Sequence, residues 1–480
     1  MGLETKMRSK LQQAGLVLVG VCAGVAISLN YSASANKEAT APLPVEELRT
    51  FAEVFNAIKQ GYVEPVDDKK LITSAISGML SGLDPHSTYL DSEAFKELQV
   101  GTQGEFGGLG IEVGMEDGFV KVISPIEDTP AFRAGVRPGD LIIKLDDTPV
   151  KGMSLNDAVK KMRGKPKTTI KLTIARKGEL KPIELTLTRE VIQVQSVKAR
   201  ILEPGIGYLR ISQFQENTAP TLAKELARLE KAGMKSIVLD LRNDPGGLLH
   251  AAVGVSGAFL PPKTLVVSTD GRTDDSRHKF FASPDDYLRS GRDDFLKLVP
   301  ADVKSMPMVV LVNGATASAS EIVAGALQDH KRAVVVGTQT FGKGSVQSIL
   351  PLASNTAIKL TTARYYTPSG RSIQAKGIAP DIVVDDTPNG SFNRIHEADL
   401  EHHLENPAAA GAIEGKPGAK ADQAKTKDVK EPKDSKEPKD PKNDKDEPDP
   451  VPFELGGKND HQLAQAVNVL KGMQIAQQNR

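Results

Sequence analysis

Cysteine is almost absent from this 480-residue chain: the one residue, Cys22, lies inside an apolar run near the N-terminus. A mature chain without that run has no disulfide, no thiol catalysis and no cysteine-based metal site. Tryptophan is missing and aromatics make up 4% of residues, which argues against a base-stacking platform for nucleic acid. Neither sign of charge is in excess, with 61 Lys+Arg against 61 Asp+Glu, so nucleic acid is not an indicated partner. The 8 histidines are scattered, and neither a cofactor nor a metal is expected.

Long hydrophobic runs are lacking too. The stretch AGLVLVGVCAGVAISL is short for a membrane span of roughly 20 residues. Lys6, Arg8 and Lys10 precede it, and Ala33–Ala35 offers a small-residue cleavage site behind it. This order predicts a cleavable signal peptide over residues 1–35 and export to the periplasm, with a peripheral membrane location as a variant. A lipid-anchored Cys22 fits poorly, because Val21 stands where a small residue is needed.

What remains is long enough for several domains. Residues 36–98 read as helical, with Leu48, Phe51, Val54, Phe55 and Ile58 at helical spacing and again Leu71, Ile72, Ala75, Ile76 and Met79. A third helix is expected from Asp91 or Ser92. Residues 99–190 carry short alternating strands, such as FVKVISP and TIKLTIAR, and one helix, LNDAVKKMR. Residues 191–390 alternate strand and helix, the texture of a layered α/β domain. The linker 391–455 contains the charged, low-complexity tract 414–450, which lacks the apolar residues needed for a core. Asp460 then caps an amphipathic helix within 456–480, with Leu463, Ala466, Val467 and Leu470 on one face. A tethered helix of this kind needs a partner surface. That surface is expected in this chain or in another, the second case being a homo-oligomer through the terminal helices or an adaptor or activator protein.

Two regions carry chemistry. In FGGLGIEV, residues Gly108, Leu109, Gly110 and Ile111 form a glycine-rich loop entering a strand, where backbone N–H groups converge on a carboxylate. An extended peptide added to that strand would lay its last side chain against a helix bearing Leu155, Val159 and Met162. With TPAFRAGVRPGD, this segment resembles a PDZ domain.

The second region is NGATASASE, which follows the strand-like MPMVVLVN. Ser318 falls at a strand-to-helix junction, where unpaired N–H groups point at whatever its side chain attacks. The amide of Ala319 would then be an oxyanion donor. His330 lies at the far end of the same helix and cannot serve as base. Lys343, flanked by glycines in TFGKGSVQ, can be buried closely enough to fall from about 10.4 toward roughly 7–8 and accept the Ser318 proton. Gln347 is placed to orient the ammonium or the hydroxyl. In VLDLRNDPGGLL, Gly246 or Gly247 would supply the second oxyanion donor, and the sequence leaves the choice open. As bland alternatives, Ser318 would be an N-cap and Lys343 an exposed turn residue.

Taken together, DLRNDPGG, NGATASASEI, FGKGSVQ and YYTPSGRSIQAKGIAPDI resemble the carboxyl-terminal processing proteases, PDZ-containing tail-specific serine peptidases of the S41 type. The resemblance spans roughly 45–390 plus the final helix. It implies a multidomain α/β protein: a crotonase-like ββα protease core with an inserted PDZ domain and helical terminal segments. It also implies Ser318 as nucleophile, Lys343 as general base and Gln347 as third member, with protein substrates offering free C-termini. Arg163, in KKMRGKP, matches a position that couples the PDZ domain to the protease.

Overall fold

The computed structural model describes residues 44–407 and 455–478, apart from 127, 290, 389, 393 and 458. The signal peptide, Cys22 and the low-complexity tract 414–450 lie outside the described residues. The chain divides into two compact units at Ala75.

In the first unit, helix Val45–Gly61 follows the expected spacing. It starts with Glu46 and Glu47 at the positive end of its dipole and ends with Lys59 in the last turn. Lys59 pairs with Asp68 at 2.7 Å. Its apolar stripe is uncovered: Leu48, Phe51 and Val54 are each about half exposed, at 50%, 47% and 54%. The unit ends within helix Asp68–Ser81.

In the second unit the rest of that helix is followed by strand Thr88–Leu90 and helix Ser92–Gln103. Asp91 caps that helix, its Oδ1 accepting from the N–H groups of Glu93 and Ala94 at 3.0 and 2.8 Å. The β-rich module follows, an antiparallel sheet running in space Ile111–Glu116, Phe119–Pro125, Leu141–Leu145, Thr169–Ala175, Ile183–Thr188. Its inward residues, among them Val120, Val122, Ile142, Leu172 and Ile174, are fully buried with Ala158 of helix Leu155–Met162. One strand pair was not evident from the sequence: Glu105–Gly108 pairs with Glu190–Gln193, so the module's two ends meet before the chain continues.

The α/β part is built on a six-stranded sheet ordered Val197–Glu203, Ile206–Ile211, Ser236–Asp240, Met308–Val312, Val334–Gly337, Ile382–Val383. All pairs after the first are parallel. Every residue of Ser236–Asp240 and Met308–Val312 is buried, which explains the apolar run Ile237–Leu239 in the first and the unbroken one in the second. One face packs on helices Thr218–Lys231, Leu249–Phe259 and Ala319–Asp329. The other face is covered by the final helix, His461–Gln478: Leu463, Ala466, Val467 and Leu470 pack on Ile206, Tyr208, Val238, Val309 and Leu311. The partner surface that this tethered helix needs is therefore its own chain's sheet. A second sheet joins Ser345–Pro351 to one edge of Ala357–Tyr366, with Thr88–Leu90 and Leu265–Gly271 end to end along the other edge.

Candidate active site

The nucleophile candidate sits where a fully buried strand gives way to a helix. After Met308–Val312 the chain makes a short turn fixed by Asn313, whose N–H donates to Thr316 Oγ1 at 3.0 Å. Thr316 Oγ1 in turn donates to Leu241 O at 2.8 Å, tying this turn to the end of the neighbouring strand. Ser318 immediately precedes helix Ala319–Asp329, with φ 57° and ψ −114°. A non-glycine residue at positive φ costs on the order of 1–3 kcal/mol and persists only where its surroundings enforce it.

The enforcing group is Glu321, a residue the sequence reading passed over. Its side chain is fully buried. Its two oxygens accept from Ser318 N–H at 2.7 Å, Lys343 N–H at 2.9 Å, Gly342 N–H at 2.7 Å and the Thr340 hydroxyl at 2.5 Å. One carboxylate thus holds the backbones of both proposed catalytic residues. Burial pushes that carboxyl up to about 7, against the four donors that favour the charged form. The Ser-x-x-Glu spacing of a capping box was the available signal.

Lys343 lies between two glycines packed against segment 373–377. A Cβ at Gly342 would lie 3.1 Å from the amides of Gly377 and Lys376, and Ala375 N–H donates to Gly342 O at 2.8 Å. Burial first, then repulsion from Lys359, pulls the Lys343 ammonium down to about 8. Glu397, Glu321 and Asp84 oppose this fall. No hydrogen bond joins Ser318 Oγ to Lys343 Nζ among the described residues. Gln347 donates instead to Ser345 Oγ at 2.9 Å and Thr361 Oγ1 at 3.3 Å. Thr361 continues to Asp84 at 3.0 Å, and His86 Nε2 lies 2.8 Å from Glu397. Asp84, His86, Lys359 and Glu397 thus form a polar surround that no local pattern announced.

The glycine loop lies directly against the nucleophile. A Cβ at Gly246 would lie 2.7 Å from Ala319 N and 2.9 Å from Ser318 Cβ, so only glycine fits. Gly246 N–H is already engaged, donating to Asp244 Oδ1 at 2.8 Å. Gly247, at φ 146°, has no acceptor for its N–H among the described residues. The Asp244 carbonyl accepts from Ala317 N–H at 2.9 Å and from the Ser320 hydroxyl at 3.1 Å, which zips the two loops together. Ser320 is thereby a buried structural residue of the first helical turn. Behind the loop, buried Arg242 binds Asp240 and Asp460, each at 2.6 Å through Nη2. His330 closes the far end of the Ala319–Asp329 helix, about 16 Å along its axis. There its Nε2 lies 2.7 Å from Leu265 O.

In the β-rich module, Gly108, Leu109, Gly110, Ile111, Val159 and Met162 line one cavity of about 200 Å³, with Phe106, Val113 and Arg163 closing it. Leu155 does not line that cavity and packs against the module's core. Among the described residues, strand Ile111–Glu116 has a neighbour on one side only, leaving an edge for an added chain. Arg163 follows the helix Leu155–Met162 and stacks its guanidinium over the Phe106 ring at 4.6 Å.

Comparison with known proteins gives concordant matches. Peptidase family S41 matches residues 205–384, the PDZ domain matches 107–187, and the activating protease CtpB N-terminal domain matches 24–94. The carboxy-terminal-processing protease of Bartonella bacilliformis is 48% identical over 367 residues, covering 75% of this chain and 81% of that protein. The carboxy-terminal processing protease CtpA of Bacillus subtilis is 36% identical over 331 residues, covering 69% and 67%. Among solved structures, a photosystem II D1 C-terminal processing protease shares 31% identity over 71% of this chain and 93% of that one, with a TM-score of 0.39.

Proposed function

The chain belongs to peptidase family S41, and from that premise we propose that it is an exported serine endopeptidase that takes its substrates by their C-termini. The observation that carries the reading is the shared Glu321 carboxylate, which holds Ser318 in a strained turn and Lys343 in a buried one. Neutral Lys343 takes the Ser318 proton as Oγ bonds to the scissile carbonyl carbon. The N–H groups of Ala319 and Gly247 hold the oxyanion; Gly246 is excluded from that role by its bond to Asp244. Collapse breaks the C–N bond, and the Lys343 ammonium returns the proton to the leaving amine. Water then repeats the sequence on the acyl-enzyme and frees Ser318. Gln347 is a positioning residue: its Nε2 rests on Ser345 and Thr361, leaving its carbonyl oxygen for the lysine ammonium. Substrate docking closes the gap between Oγ and Nζ.

The charged N-terminus and apolar run support export to the periplasm. A homo-oligomer would use helix Val45–Gly61, whose apolar stripe is uncovered, rather than the final helix, whose apolar face is spent on its own sheet. The final helix leaves only its outer face to an adaptor.

A time course with a loosely folded exported protein, with and without its C-terminal residues, tests the reading. The intact substrate should be cleaved faster than the truncated one, and Ser318→Ala should cleave neither. Equal rates on both substrates would remove the C-terminal part of the claim, and activity in Ser318→Ala would remove the catalytic part.

A further inference from the structure

The groove beside strand Ile111–Glu116 is closed at one end by two side chains. A peptide added to this edge would bring its last residue toward Ile111 and its carboxylate toward the Gly108–Gly110 amides. Immediately past that point stands the Phe106 ring. It lies flat on the chain: a Cβ at Gly108 would be 2.8 Å from its Cε2. The Arg163 guanidinium covers its other face at 4.6 Å.

Beyond this stack is a second cavity of about 210 Å³, walled by Glu93, Lys96 and Val100 of the helix Ser92–Gln103 and by Lys160. Phe106 and Arg163 are the two residues that line both cavities. The backbone beneath them is fixed. Gly164 N–H donates to Gly107 O at 3.0 Å, and glycine is required at 107, where a Cβ would strike Gly164 O. Arg189, nearly buried, clamps the end of the module's helix by donating to Lys161 O at 2.8 Å and Met162 O at 3.0 Å. The partition therefore has a rigid floor and a removable wall.

We propose that Phe106, held by Arg163, is the end stop of the peptide groove and the residue that restricts it to a free chain end. This rests on the reading of the groove as a peptide site. A chain that terminates at the glycine loop fits against the ring. A chain that continues must pass through the space that the ring fills, so internal segments are rejected by a steric clash. Arg163 adds a positive charge behind the stop, which favours a carboxylate over an amide.

The test uses the full-length chain carrying Ser318→Ala and three labelled peptides followed by fluorescence anisotropy. One ends in a small apolar residue as the free acid, the second is its amide, and the third continues by three residues. The Ser318→Ala chain should prefer the free acid to the extended peptide by about a hundredfold. Adding Phe106→Ala should cut that preference to about tenfold or less by improving the extended peptide, with the free acid still bound. Phe106→Leu, which refills the space, should keep most of the discrimination. Arg163→Gln should narrow the acid-to-amide preference and still reject the extension. Unchanged discrimination in Phe106→Ala, or loss of free-acid binding there, would overturn the end stop. Binding of no peptide by the Ser318→Ala chain would instead bring down the underlying reading of the groove, and the end stop with it.

Discussion

The loop Gly108–Gly110, proposed to receive a substrate carboxylate, and the loop Asp244–Gly247, proposed to hold the oxyanion, rest on supports that differ in kind. The first stands on the edge of a sheet, and the helix beside it is tied to helix Ser92–Gln103 by Lys160–Glu93, a 2.9 Å pair with side chains 50% and 60% exposed. The second is set among buried charge: Glu321 beside it and, behind it, Arg242 with Asp240 and Asp460. Exposed pairs are weak and solvent-screened, whereas a buried charge that loses its partner is expensive. The helix beside the first loop thus combines one exchangeable, exposed tie with the Arg189 clamp at its end, whereas the second loop is backed by buried ionic groups.

That contrast can be broken most forcefully at Lys343, the proposed base. Lys343→Ala should lower kcat/KM by about 10⁴-fold or more while the melting transition stays cooperative. Substantial residual activity would remove the lysine from the chemistry. Glu321→Ala comes next: it strands four buried donors and should cost several kcal/mol, on the order of 1–3 per unsatisfied group, with kcat falling more than KM rises. A stable variant with normal kcat would show that Ser318 holds its turn unaided. Asp460→Ala removes one of the two carboxylates on buried Arg242 and should lower stability by about 3–5 kcal/mol in urea unfolding. A change below about 1 kcal/mol would mean that Asp240 alone neutralises the guanidinium. The smallest effect belongs to the exposed side of the comparison: Lys160→Ala should leave the urea midpoint indistinguishable from that of the parent chain.

Much of this arrangement was legible in the sequence because it depends on local periodicity. The strands SIVLDL and MVVLVN and the helix after Ser318 emerge where apolar runs and small residues predict them. Ser318, Lys343 and the glycine pair could be picked out because each lies at a junction with an unusual backbone demand. Long-range pairing was not legible. Nothing near Arg242 announces Asp460, which lies beyond the charged tract 414–450, and nothing near Glu397 announces His86. The pairing of Glu105–Gly108 with Glu190–Gln193 is hidden for the same reason. The distinction proposed between Gly246 and Gly247 rests on one hydrogen bond, donated by Gly246 N–H to the Asp244 side chain, which spacing cannot reveal.

The central claim is that Ser318 is activated by a lysine whose ammonium gives up its proton near pH 8, well below the ordinary lysine value, and its most direct test is the pH dependence of covalent labelling. An organophosphonate that reacts with activated serines would be followed by mass spectrometry on the Ser318 peptide from about pH 6 to about pH 10. Lys343, lowered to about 8, is protonated and inert below that value and accepts a proton above it. The labelling rate should therefore rise with pH through a midpoint near 8, and the rise should vanish in Lys343→Ala. A flat profile, or one that Lys343→Ala leaves unchanged, would contradict the account.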